Sequence, residues 1–402
     1  MEEFNKIEIR HICSNICSGG TPKSTVLEYY GGNIPWLNTK EINFSSIYET
    51  EKTITEEGLN NSSAKWIPAN SVIVAMYGAT AGKTAITKIP LTTNQACCNL
   101  TIDSNKADYR FVYYALYNDY AYLASLANGG AQQNLNAQQI KEFEIPYPSL
   151  EKQKGIADIL TTIDNKIELN RRINDNLEQQ AQALFKSWFV DFEPFRGGEF
   201  VDSELGLIPK GWRVVSLGEV TKQITEKVGN REDVTVLSPI NSGELVLSEE
   251  YFTKQVFSKD LSKYLIVNPL SFAYNPARIN IGSIGLNTFD FVGCVSPVYV
   301  VFECEPNYQY FFDFFKRTAM FKDEVALRAI GGVRQSLGYN DLSLIKTIYP
   351  TSDVVVEFNN LYLKMKEVMI KNTDQNEKFI SLRDSLLPKL MSGELKINEF
   401  NC

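Results

Sequence analysis

The chain has 402 residues, 44% of them hydrophobic and 22% charged, with a formal net charge of −8. That is enough material for two or three globular domains with real cores, and the acidic balance excludes a basic nucleic-acid footprint spread over the whole surface, so any DNA contact must rest on locally clustered Lys and Arg or be shared with a partner. No apolar stretch approaches the roughly 18 residues of a membrane span, and seven Cys in a chain without a secretory signal point to reduced, mostly buried thiols and a cytoplasmic location.

In chain order, the amino terminus MEEFNKIEIR is charged and carries no apolar signal core. His11, Cys13 and Cys17 follow as three possible zinc ligands, but a closed site needs a fourth at suitable spacing, and neither a second Cys-x-x-Cys pair nor the stretch EVTKQIT (219–225) supplies one. These residues are expected to be structural or incidental, with no metal. A single His in the whole chain also gives little support to a Ser-His-Asp or Cys-His arrangement.

AMYGATAGKTAI (75–86) looks like a phosphate-cradling loop. A Walker A loop spaces its two glycines by four residues and continues Lys-Ser/Thr, so that backbone N–H groups wrap the phosphates while Lys and the hydroxyl reach phosphate and magnesium. Here Gly78 and Gly82 enclose only three residues, and Tyr77 stands where the first glycine belongs. The aromatic stretch YRFVYYALYNDYAYLASLA (109–127) then reads as helix, and NGGAQQNLN (128–136) as a turn leading into EFEIPY.

Residues 151–190 carry a heptad pattern, with Ile156, Ile163, Asn170, Leu177 and Leu184 at one seam position and Leu160, Ile167, Asn174, Ala181 and Trp188 at the other. The rest of the chain answers to what precedes it. Gly129, Gly130, Gln133 and Leu135 reappear as Gly331, Gly332, Gln335 and Leu337 at an offset of 202, as does Pro148 in Pro350. NSVIVAMY resembles NPLSFAYN with Ala75 on Ala273, and Gly82 falls opposite Gly282, which implies a second loop two residues longer. The Lys83 and Thr84 of the first loop become Ser283 and Ile284, so a nucleotide-binding reading fails in the repeat.

The heptads recur as Phe358, Met365, Asn372, Phe379 and Leu386 with Tyr362, Met369, Asn376, Arg383 and Leu390. A seam Asn costs stability and specifies register, and an antiparallel pairing would bring Asn170, Asn174, Asn372 and Asn376 together near the centre. Pro388 is expected to end or kink the second helix. Trp36, Trp66 and Trp212 read as core. The boundaries are 1–150 for a first α+β domain, 151–192 for a long helix, 193–206 for a linker, 207–350 for a second α+β domain, 351–392 for a second long helix and 393–402 for a tail.

GGTPKSTVLEYYGGNIPWLNTKEI (19–42), GGAQQNLNAQQIKEFEIPYPSLEKQKGIADILTTIDNKIELN (129–170), GLIPKGWRVVSLGEV (206–220) and SLLPKLMSGEL (385–395) resemble the specificity subunits of type I restriction-modification enzymes. The resemblance covers nearly the whole chain, although the second domain lacks the GGTP and IPW elements. It implies an α+β fold of two tandem target-recognition domains separated by a long antiparallel two-helix coiled coil, reading a bipartite site in double-stranded DNA. It also implies no catalysis on this chain, with two methyltransferase (M) subunits and restriction (R) subunits as partners. AdoMet, ATP and Mg would belong to those partners.

On that reading the loop at 75–86 is either a recognition loop, with Lys83 on a phosphate and Tyr77 and Thr80 facing bases, or a strand-to-strand turn whose Lys is merely solvated. The candidate DNA contacts are Lys23, Ser24, Asn38 and Lys40 in the first stretch; Tyr77, Thr80 and Lys83 in the loop; Asn275, Arg278, Asn280 and Ser283 in its repeat; and Gln132, Gln133, Arg334 and Gln335 in the Gly-Gly motifs. Gln and Arg can bond adenine and guanine bidentately. Because the family that the chain resembles keeps a similar motif while its target sequences vary, Gln133 and Gln335 suit backbone or subunit contact, and Gln132 and Arg334 suit base reading. YNPAR (274–278) lacks the second Pro and the aromatic of an adenine-methyltransferase turn. A related system that cuts on both sides of its site (type IIB-like), a P-loop ATPase and a coiled-coil adaptor remain as alternatives.

Overall fold

The computed structural model describes residues 4–127, 134–252, 257–329 and 336–396. Gln132, Gln133, Arg334 and Gln335, with the Gly-Gly pairs beside them, lie outside the described residues. The chain forms two compact units, one made of 1–172 with 372–402 and the other of 173–371. Each holds an α+β globule and one half of both long helices.

The first unit is organised by the run VIVA, Val72–Ala75, buried on both faces as an unbroken β-branched stretch is in a central strand. Val72 and Val74 join a core with Phe111, Leu116 and Ile145, while Ile73 and Ala75 join another with Leu37, Ile42 and Leu91. The strand pairs antiparallel with Thr84–Thr87 on one side and Cys97–Ile102 on the other. Cys13–Ser18 and Ser45–Ile47 complete the five-stranded sheet. A smaller sheet sets Tyr30–Leu37 between Lys52–Ile54 and the parallel Thr92–Thr93. Helix Tyr109–Asn118 begins at Asp108, whose carboxylate accepts the Arg110 N–H at 2.9 Å, and covers one face with Phe111, Val112 and Leu116.

The second unit repeats this order. Phe272–Tyr274 lies between Ile284–Leu286 and Val300–Cys304, with Thr221–Ile224 beyond. Phe272 and Tyr274 turn to one core and Ala273 to the other. Where the first unit pairs Trp36 with Thr92 in parallel, the second pairs Val236 with Cys294 in parallel. The architecture therefore survives without the GGTP and IPW residues, because strand register and core filling can be met by other apolar side chains.

Register corrects the expected alignment of the two loops. The Ala75 N–H bonds to the Lys83 carbonyl at 2.9 Å, and the Asn275 N–H to the Ser283 carbonyl at 3.1 Å. Ala75 thus answers to Asn275 rather than Ala273, and the loops are equal in length. A slip of two residues preserves which face each side chain takes, so apolar pattern alone does not detect it.

The long helices run Leu150–Phe189 and Ser352–Met391, about 60 Å each at 1.5 Å per residue. In the first unit Ile156, Leu160 and Ile167 are buried on the seam, as are Asn376 and Leu390 of the second helix. The Asn170 Nδ2 donates to Asn376 Oδ1 at 3.0 Å, and Arg383 Nη1 to Asp164 Oδ1 at 3.0 Å, which makes the pairing antiparallel. In the second unit Phe185 and Phe189 pack on Phe358, with ring centroids 5.8 and 5.2 Å away. There Asn174 Nδ2 donates to the Met369 carbonyl at 3.0 Å. Asn170 Nδ2 also donates to Gln375 Oε1 at 3.3 Å, so the central layers include side-chain partners other than Asn and a bond to backbone.

Three further expectations change. Of the two outcomes expected at Pro388, an end or a kink, the first does not occur: the helix continues to Met391, where the Leu387, Leu390 and Met391 side chains enter the first unit's core and burial outweighs the single lost backbone bond. Trp36 and Trp212 are buried, but Trp66 is 48% exposed. Its neighbour Ile67 bridges Leu91 and takes the inward position, which turns Trp66 out. Finally, the expected linker 193–206 contains structure: Phe200–Ser203 forms a hairpin with Gly206–Pro209, and Phe192 and Phe195 pack edge-on against Trp212.

Candidate nucleic-acid interface

Each unit presents one hairpin built to the same plan. Gly82 and Gly282 have φ of +84° and +94°, a conformation that penalises any side chain. A Cβ on Gly282 would also stand 2.6 Å from the Asn241 carbonyl oxygen. The glycine that makes the first loop look like a phosphate cradle is therefore a hairpin residue. The loop joins two antiparallel strands, not a strand and a helix, and Thr84 is buried in the second of them, which is the wrong topology for a Walker A loop.

The Leu of each Gly-Gly motif explains its own repetition. The Leu135 N–H donates to the Met76 carbonyl at 2.8 Å and the Leu337 N–H to the Pro276 carbonyl at 3.1 Å, and both side chains are fully buried. Each motif is thereby tied to the residue that opens the hairpin tip.

In the first hairpin Tyr77 is exposed, and Thr80, half-buried, donates to the Tyr77 carbonyl at 3.3 Å. Lys83 Nζ donates to Asn43 Oδ1 at 2.7 Å and lies 6.0 Å from the centre of the Phe44 ring. Phe44 in turn stacks on Tyr117 at 4.4 Å. Among the described residues no carboxylate pairs with Lys83, so its charge is oriented but not neutralised. Asn43, Phe44 and Tyr117 were not singled out in the sequence; their role depends on contacts between distant segments.

In the second hairpin the Asn275 side chain accepts the Ala277 N–H at 3.0 Å, an Asx turn that holds the tip. Arg278 and Asn280 are exposed while Ile279 anchors the tip inward. Ser283 is buried, and its hydroxyl donates to the Pro239 carbonyl at 2.8 Å. That removes Ser283 from the candidate contacts: it faces the core because it pairs across the hairpin with Asn275.

The candidates of the first stretch fall elsewhere. Lys23 and Ser24 are exposed, and Ser24 and Asn38 border a groove of about 580 Å³ floored by Tyr30 and Trp36. Asn38 is already engaged, its side chain accepting the Lys40 N–H at 3.3 Å and its N–H donating to Glu41 Oε1 at 2.9 Å. Lys40 is ion-paired with Glu51. Neither is as free for a phosphate as the sequence suggested.

A cationic residue absent from the candidates is Lys88, half-buried, with its Nζ 5.8 Å from the Tyr109 ring centre. Burial, and then the Arg110 guanidinium, lower its pKa. It borders a cavity of about 290 Å³ with Arg110, Arg171 and Arg383. Of the possible zinc ligands, His11 sits 3.3 Å from Glu8 and burial pushes the Cys13 thiol up to about 12. Among the described residues no group of His, Cys, Asp and Glu is arranged to hold a metal ion, and no helix is long and apolar enough to cross a membrane.

Residues 1–179 match the family model of the type I restriction modification DNA specificity domain. The chain is similar to the type I restriction enzyme MjaIX specificity subunit of Methanocaldococcus jannaschii, 29% identical over 399 residues that cover 96% of this chain and 92% of that one. It is also similar to the HindI specificity subunit of Haemophilus influenzae, 24% identical over 354 residues covering 69% and 74%. In fold it is similar to the crystal structure of a type I restriction-modification S subunit from M. genitalium, with a TM-score of 0.59 at 17% identity over 97% of each chain. The duplicated α+β units, the paired long helices and the near full-length similarity agree: residues 1–179 form a type I restriction modification DNA specificity domain, and the chain as a whole is similar to type I restriction enzyme specificity subunits.

Proposed function

We propose that this chain is the sequence-reading, non-catalytic subunit of a type I restriction-modification enzyme, each unit reading one half of a bipartite target in duplex DNA. The observation that carries the reading is the pair of hairpins. Their frames are shared, through Gly82 and Gly282 and through the Leu135 and Leu337 clamps, yet their tips differ, with Tyr77, Thr80 and Lys83 in one and Arg278 and Asn280 in the other. A common frame with different polar side chains at the tip suits two domains that read different base sequences. Lys23 and Lys83 are assigned to phosphates, and Tyr77, Thr80, Arg278 and Asn280 to bases. Gln132 and Arg334 are kept as base readers, and Gln133 and Gln335 as backbone or subunit contacts.

Two methyltransferase subunits and the restriction subunits would supply the chemistry, with AdoMet, ATP and Mg bound by them, in the cytoplasm. Binding to acidic DNA by a chain of net charge −8 would then draw on partner surfaces as well. Methylation mapping in cells carrying this chain and its methyltransferase tests the proposal. The expected result is modification at one split sequence with a fixed spacer. Methylation at a single uninterrupted sequence, or none that depends on this chain, would refute it.

A further inference from the structure

Lys316 is the most deeply buried ammonium described in the chain, its side chain only 2% exposed. Isolating a charge in this way costs several kcal/mol unless every donor is satisfied. All three are. Lys316 Nζ meets Asp313 Oδ1 at 2.8 Å, the Ile284 carbonyl at 3.0 Å and the Gly243 carbonyl. Ile284 opens the return strand of the second hairpin, and Gly243 belongs to the neighbouring loop whose Asn241 carbonyl crowds Gly282. One side chain therefore fastens both the foot of the hairpin and the loop packed on it.

Asp313 extends the connection. Its second oxygen accepts from Arg317 Nη2 at 2.7 Å, and Arg317 also pairs with Glu178 on the first long helix. All these residues lie within 173–371, one compact unit. The first unit shows that packing alone does not require the charge. At the same helical position, counted from the caps Asp108 and Tyr308, stands the fully buried Leu116. A leucine fills the space but cannot hold two carbonyls of separate loops.

We propose that Lys316 is a positioning residue, fixing the second hairpin to the first long helix through Asp313, Arg317 and Glu178. Its bearing on base recognition rests on the function proposed above, whereas its effect on the hairpin does not. Amide exchange in the full chain measures that effect directly. In Lys316→Met, which keeps the volume and leaves Asp313 paired with Arg317, the amides of Asn275, Gly282 and Ile284 should exchange about tenfold faster or more, as expected for a lost charge-assisted hydrogen bond. Those of Val72–Ala75 in the other hairpin should keep their rates. Glu178→Gln, at a partly exposed site on the helix surface, should accelerate the same amides by a smaller factor.

Unchanged hairpin exchange in Glu178→Gln, or equal acceleration of every strand in 173–371 by Lys316→Met, overturns the proposal. In the assembled methyltransferase, Lys316→Met should relax base choice in one half-site and leave the other intact. Loosened hairpin amides with both half-sites still read correctly would uphold the positioning role and instead defeat the reading of DNA by this hairpin.

Discussion

Gly282 and Gly78 are both glycines with positive φ, +94° and +70°, but their surroundings differ. A Cβ on Gly282 meets the Asn241 carbonyl at 2.6 Å, and one on Gly78 meets nothing within 4 Å. Gly78→Ala should therefore cost only the left-handed backbone penalty, about 1 kcal/mol. Gly282→Ala adds a backbone clash and should cost about 2–3 kcal/mol. Urea unfolding of the full chain compares them, and equal midpoints would show that the Asn241 loop yields. Charge follows a similar contrast. Lys83 is oriented by a neutral amide, while Lys40 is spent on Glu51. Lys83→Ala should weaken binding of target and non-target duplexes alike and reduce the slope of log K against log salt by about one. Lys40→Ala should move it much less. A changed base preference at constant slope would reassign Lys83 to a base.

The long helices were the most legible elements. Seven-residue periodicity specifies which residues form the seam, and every assigned seam position is buried or half-buried. What the pattern could not supply is the partner of each polar group. Asn170 meets Asn376, but Asn174 meets a backbone carbonyl, because a helix carbonyl keeps a second lone pair that competes with any side chain. Arg383 on the seam is satisfied by Asp164 and Tyr117, a residue of the globule that no heptad records. The same limit explains the candidate site. Ser283 reads as a loop residue until cross-strand register shows it buried, and nothing in the sequence marks Lys316, at the end of the aromatic helix Gln309–Phe315, as the residue on which carbonyls from two remote loops close. The Asn layer yields a prediction at this scale. Asn376→Leu alone should destabilise by about 1 kcal/mol or more, since it leaves the buried Asn170 amide with only its longer, 3.3 Å bond to Gln375 Oε1. Asn170→Leu with Asn376→Leu should restore the loss or exceed the original stability. Thermal melting of the single and double variants decides it, and a double variant no better than the single would mean the layer contributes net stability.

The division of the molecule into units bears on how its specificity could be exchanged. The first globule does not end with its own sequence: Leu387, Leu390 and Met391, more than two hundred residues further on, complete its core with Phe111 and Ile156, and Arg383 bonds Tyr117 at 2.8 Å. A chimera that replaces only residues 1–150 with the matching domain of a relative leaves those four side chains facing a foreign surface. A chimera that replaces 1–172 together with 372–396 keeps each side of the contact native to the other. If the two units read separate half-sites, both chimeras should change one half of the methylated sequence and preserve the other. The second should also melt at or near the temperature of the parent, whereas the first should lose several degrees, because removing matched partners from a core costs about 2–5 kcal/mol per large side chain. Methylation mapping and thermal melting of the two chimeras separate the claims. A change in both half-sites would refute modular reading, and equal melting temperatures would show that the second helix contributes little to the core it enters.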